Sequence, residues 1–245
     1  GIGRNRRRCS REYYSIGRNG RRCMMGRFIN SILNNDSVFG QIMTRCGIII
    51  GANLMFCIFC LPVITIGPSV TALYHVMFKT LRGDGVLNPF KEFWIGFRNN
   101  FKQSVLYWLF VIVIAVIAFL DLRFANYMGG IMNYFRYGIY AIVIAVIALT
   151  AYLFPVIACF ADTLPALIRN AIFFIARNPF KMLLIAAVDL VPLYFCYMDV
   201  QRLPLWGFLW VTFGFGAVAM FGANLMLKDF SKFLPEKKRP DQITE

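Results

Sequence analysis

The sequence has little of what chemistry usually requires. It contains one histidine, His75, and only 12 acidic residues among 245. A single histidine excludes H-E-x-x-H and zinc sites built on several imidazoles, and no G-x-x-x-x-G-K-[ST] loop is present to cradle nucleotide phosphates. Paired carboxylates and Ser/His or Cys/His pairs inside apolar segments are also missing, so no enzyme is expected and no cofactor or metal is implied. Charged residues make up 16% of the chain, against about 25% in soluble domains, which excludes an ordinary water-soluble fold. The seven cysteines form no disulfide framework: Cys57 and Cys60 make a C-x-x-C inside an apolar run, without the strand-to-helix setting of a redox motif, and read as small packing groups.

What is abundant is apolar. Hydrophobic residues account for 59% of the chain, 25 of them phenylalanine, and the mean hydropathy is +0.61. Runs long enough to cross about 30 Å of hydrocarbon fall at roughly Gly47–Ile66, Ser104–Leu120, Gly138–Phe160, Phe180–Met198 and Leu205–Leu227. The expected fold is all-α, a polytopic membrane bundle of about five spans. Residues 24–235 form its single integral membrane domain, with a polar tail at 236–245. Residues 1–23 hold eight of the 26 Lys and Arg and one acid, so the rest of the chain carries half the net charge. Their near repeat "IGRNRRRC" and "IGRNGRRC" ahead of Met24-Met25 reads as a basic extension outside the natural protein, so no nucleic acid is expected as a partner.

Two stretches read as helices lying flat at the membrane surface. In 70–82 the residues Val70, Leu73, Tyr74, Met77, Phe78 and Leu81 make one apolar face, while Thr71, His75, Lys79 and Arg82 line the other. Pro62, Gly67 and Pro68 are expected to end the preceding span and turn the chain. A second surface helix begins at Asn88, a cap, and Pro89, with Phe90, Phe93, Trp94, Phe97 and Phe101 on its apolar face. The order recurs: "RNNFK" at Arg98–Lys102 is echoed by "RNPFK" at Arg177–Lys181, each after paired aromatics and before a span, and "PVI" closes the upstream span at Pro62–Ile64 and Pro155–Ile157. This predicts a parallel internal duplication with both basic elbows on one side. From Met24 onward, alternate loops that include the elbows and the C-terminus hold thirteen Lys and Arg against five in the others. The positive-inside rule therefore puts them in the cytoplasm. A competing topology makes 47–82 a re-entrant hairpin.

Candidate sites are few. Asp189, near the middle of the fourth span and three residues before Pro192, is an intramembrane carboxyl and a functional candidate by its depth. It is expected to be protonated and hydrogen-bonded across to Asn53, Asn224, Thr150 or Tyr152. Asn53 and Asn224 also lie within spans and read as structural hydrogen-bonding groups. His75, Lys79, Arg82, Arg98, Lys102, Arg177 and Lys181 are candidate contacts for lipid headgroups or a partner's acidic loop, or simply anchors for the spans.

"NNDSVFG" at Asn34–Gly40, "LPVITIGPSVTALYHVMFKTLRG" at Leu61–Gly83 and "FKEFWIGFRNNFKQSVLYW" at Phe90–Trp108 together resemble the N-terminal signature of the YesL-like integral membrane proteins of Gram-positive bacteria. The resemblance covers roughly residues 28–110. It implies a multi-span protein of a bacterial cell membrane, often encoded beside carbohydrate-utilisation genes, and it supplies no catalytic motif. The expected function is a non-enzymatic accessory or partner of a sugar permease complex; the alternative is a small transporter or channel in its own right.

Overall fold

The computed structural model describes residues 38–83, 88–128, 132–198, 202–231 and 233. The extension at 1–23 and the tail at 236–245 lie outside them. The chain forms two units, 1–47 and 48–245. The described elements are all helical: α1 Val38–Phe59, a 3-10 turn Val63–Thr65, α2 Ile66–Leu81, α3 Pro89–Met128, α4 Met132–Cys159, α5 Leu164–Arg177, α6 Pro179–Met198, α7 Leu203–Leu209, a π turn Trp210–Gly214 and α8 Phe215–Phe230. Among the described residues four helical stretches are long and apolar enough to cross a membrane, Phe39–Phe59, Pro89–Arg123, Arg136–Cys159 and Pro204–Phe230, and the α5–α6 pair makes up to five. Unbroken apolar helices satisfy their own backbone in lipid, so the composition dictates this class of fold.

Local chemistry sets the boundaries. Pro62 adopts an extended conformation (φ −78°, ψ 127°) after α1, and Thr65 Oγ1 lies 2.6 Å from the Phe59 carbonyl and 2.8 Å from that of Pro62, which closes the turn into α2. Asn88 caps α3 as its sequence suggests: its Oδ1 accepts from the backbone N–H of Phe90 at 3.2 Å.

Inside the second unit, α2 is the hub. Ala72, Val76 and Met77 are fully buried, with Leu73 and Phe78 nearly so, and α3, α4 and α8 pack around it. Between apolar helices in lipid the hydrophobic effect offers little, so close van der Waals packing and interhelical hydrogen bonds must hold them. Gly67 permits that approach: a Cβ there would stand 2.7 Å from Trp108 Cβ and 2.9 Å from the Ser104 carbonyl. One turn on, the Thr71 and Ser104 hydroxyls meet at 2.9 Å with both residues fully buried. Phe230 closes the other end of the core against Phe174 at 4.8 Å, Phe160 at 5.5 Å and Phe78 at 5.7 Å.

Three expectations change. The stretch 70–82 forms a helix, but not one lying on the surface; its supposed polar side, at Thr71 and His75, faces α3 rather than lipid headgroups. The second surface helix and the span after it are one continuous helix of 40 residues, about 60 Å long. Arg98–Lys102 is therefore no elbow, and Lys91, Glu92, Arg98, Asn99 and Lys102 all lie in the first half of α3. Finally, Pro155 sits inside α4 and does not end it. By contrast "RNPFK" does break the chain: Asn178 leaves helical geometry (φ −137°, ψ 67°), and α5 and α6 meet at 102°. The motifs differ in that Pro179 stands where the first has Asn100; a proline disfavours the helical conformation at the residue before it and supplies no N–H.

Candidate functional site

The order of contacts puts one set of helix ends together. Lys79 Nζ reaches Glu92 Oε2 at 2.7 Å, Arg82 lies 3.8 Å from Cys159 Sγ, and Lys181 Nζ donates to Asp229 Oδ2 at 2.6 Å, with Asn178 donating to the same oxygen at 3.3 Å. The C-terminal ends of α2, α4 and α8 thus share one end of the bundle with the N-terminal ends of α3 and α6. His75 lies one turn inward. A Cβ at Gly96 would come within 2.9 Å of its Cβ, and its Nε2, 3.9 Å from Glu92, has no hydrogen-bond partner among the described residues. Burial lowers the His75 pKa, with smaller pushes the same way from Lys79 and Arg82; a bond to the Ala158 backbone and the Glu92 charge oppose them.

Further from that end lies a cavity of about 480 Å³. Asp189 is ten residues into α6, about 15 Å along its axis, and its side chain lines this cavity together with Phe56, Tyr74, Trp108, Phe154, Trp210 and Phe215. Thr150 lines it too, but its hydroxyl is engaged by the Val146 carbonyl at 2.6 Å and the Tyr107 hydroxyl at 2.9 Å. The Trp108 indole donates to the Val63 carbonyl at 2.8 Å. Among the described residues, no hydrogen bond or ion pair reaches the Asp189 carboxyl.

The wall behind Trp210 and Phe215 depends on Asn53. A π turn leaves carbonyls without their usual helical partner. Asn53 Nδ2 donates to those of Trp210 at 2.9 Å and Val211 at 2.6 Å, while its Oδ1 accepts from Gly216 N–H at 2.8 Å. Asn53 is fully buried, and a Cβ at Gly216 would stand 3.0 Å from the Ile49 carbonyl, so α8 approaches α1 closely at this point.

The expected partnership of Asp189 with Asn53 is therefore overturned, since Asn53 spends its amide on backbone. Thr150 is bonded elsewhere, Asn224 is exposed on α8, and Tyr152 is buried with no hydrogen bond to Asp189 among the described residues. Of the basic candidates, Lys79 and Lys181 are held in ion pairs; Arg98, Lys102 and Arg177 are exposed and unpaired among the described residues. Glu92 and Asp229 were not singled out in the sequence. They lie 13 and 48 residues from their lysines, across at least one helix boundary, and only charge balance at one bundle end could have suggested them. Among the described residues no group of three His, Cys, Asp or Glu side chains could hold a metal ion.

The family described as "Protein of unknown function, DUF624" matches residues 49–122, which run from within α1 through most of α3. That family includes the YesL-like proteins. No curated protein and no solved structure matches the chain.

Proposed function

We propose that the chain is a YesL-like, non-enzymatic protein of a bacterial cell membrane that serves as an accessory or partner component of carbohydrate uptake, with its C-terminus in the cytoplasm. The observation that carries the accessory reading is the character of the interior. A sugar presents many hydroxyls, and a site for it must answer them with convergent polar groups. The cavity offers one carboxyl and the Tyr74 hydroxyl among mainly apolar walls, a poor match for a sugar pathway. Arg98, Lys102 and Arg177 instead give an exposed cationic set for an acidic partner loop or anionic headgroups.

A small transporter in its own right is the second reading, favoured by the 102° break between α5 and α6 and by the π turn. Purification in mild detergent separates the two. Stoichiometric permease subunits retained by wild type and shed by Arg98→Glu/Lys102→Glu/Arg177→Glu support the accessory role. Sugar flux into liposomes by the pure protein alone overturns it.

A further inference from the structure

The cavity has a chemistry of its own, independent of any carbohydrate partner. Its volume of about 480 Å³ is within the ordinary range for small-molecule sites. Among the described residues six aromatic side chains, Phe56, Tyr74, Trp108, Phe154, Trp210 and Phe215, contribute to its walls beside a single carboxyl. Aromatic faces carry negative potential and attract cations, more strongly where water is excluded. Among the described residues no lysine or arginine lines the cavity to neutralise Asp189. An isolated carboxylate at such depth is costly, and an apolar neutral ligand would gain nothing from it. An ammonium group gains from both features.

We propose that this cavity is a binding site for a hydrophobic organic cation, an amine on an aromatic or alkyl body, with Asp189 as its counter-ion. The ammonium hydrogen-bonds to the carboxylate, and the apolar body fills the aromatic walls. The ion pair need not be assembled from two charges carried into lipid. A neutral amine that partitions into the bilayer can accept the proton of a protonated Asp189, so that one proton moves from carboxyl oxygen to nitrogen and the ammonium–carboxylate pair forms in place. Rejection of sugars and selection of amines then follow from the same walls.

The test uses the full chain in lipid nanodiscs, with empty nanodiscs as the partition control, and phenylbutylamine against its neutral isostere phenylbutanol. Wild type should bind the amine saturably and at least tenfold more tightly than the alcohol. Asp189→Asn, which keeps the size of the acid but cannot carry its charge, should lose that preference while still binding the alcohol. Ala151→Phe, which adds a ring at the cavity wall and leaves Asp189 in place, should weaken both ligands. Its unchanged thermal unfolding without ligand, and that of Asp189→Asn, would show that the fold survives. Equal amine affinity in wild type and Asp189→Asn, alcohol binding as tight as amine, or no saturable amine binding would each overturn the proposal.

Discussion

Replacing Asn53 by alanine should destabilise the bundle far more than its single side chain suggests. Its amide donates at 2.9 and 2.6 Å to two carbonyls of the π turn and accepts at 2.8 Å from Gly216. Removing it leaves two carbonyls and one N–H where lipid and apolar side chains offer no substitute. A buried hydrogen bond is worth about 1 kcal/mol net in water-soluble proteins and about 0.6 between membrane helices. Three of them therefore give about 2–3 kcal/mol, and the void at a fully buried position adds to this. The assay is reversible unfolding in mixed micelles of increasing SDS fraction, followed by tryptophan fluorescence, to which Trp210 contributes from 4.6 Å against Phe215. Asn224→Ala is the control, exposed and expected within about 0.5 kcal/mol of wild type. Asn53→Asp, which turns an oxygen toward the two carbonyls, should be at least as costly as alanine. If Asn53→Ala unfolds with Asn224→Ala, the side chain is not holding the π turn and the reasoning fails.

Three further outcomes are expected. Asn100→Pro, which recreates the broken motif inside continuous α3, should cost about 3 kcal/mol or more, whereas Pro179→Ala at the existing break should cost little; similar losses in SDS unfolding would refute the attribution of the 102° bend to proline. His75 has a folded pKa below its ordinary 6.5, so protonation favours the unfolded chain: its stabilising contribution is present above pH 6.5 and falls as pH drops through the lowered folded value. Thermal unfolding in detergent should accordingly lose stability on acidification in wild type and less so in His75→Gln, and parallel pH profiles would exclude the histidine, despite the neighbouring Lys79, Arg82, Glu92 and Cys159. Asn99 and Asp121 lie on the same helix, about 33 Å apart along its axis, so a membrane-impermeant thiol reagent applied to intact cells without native cysteines should label Asp121→Cys and spare Asn99→Cys; the reverse pattern would invert the proposed topology.

Spans were legible because hydrophobic run length is nearly sufficient to identify a helix in lipid. What periodicity could not supply was the neighbour. In α2 the stripe Thr71, His75, Lys79 has the spacing of a headgroup-facing surface, yet Thr71 finds Ser104, His75 packs over Gly96 and Lys79 finds Glu92. A polar stripe means the same thing to sequence whether its partner is water, lipid or a second polar stripe, and only the fold tells them apart. The two R-N-x-F-K motifs show a different failure. Their likeness suggested a repeated elbow, although the one residue that decides the backbone, Asn100 against Pro179, is visible in both motifs. The order of long, short and long helix does occur twice, as α1, α2, α3 and as α4, α5, α6, but each motif marks a joint in one set alone: "PVI" between α1 and α2 and not within α4, R-N-x-F-K between α5 and α6 and not within α3. Asn53 was legible as a buried polar group and illegible as a clamp, because a π turn leaves no mark in composition.

The carboxylates separate by depth. Among the described residues three are partly buried: Glu92, Asp229 and Asp189. Glu92 has a lysine at 2.7 Å and Asp229 one at 2.6 Å, and both pairs lie at the end of the bundle where water and headgroups already soften the cost of charge. Asp189 lies deeper, where an unpaired charge is most expensive, and it is the one without such a partner. A purely structural carboxyl would be expected to follow the opposite order, with hydrogen bonds best satisfied where solvent is least available. Thr150 could have served it and is turned to Tyr107; Asn53 could have served it and is turned to the π turn. Of the polar groups lining the space, Thr150 is committed elsewhere and the Tyr74 hydroxyl remains beside the carboxyl among aromatic walls, and that distribution of partners is what a site for an incoming cation requires.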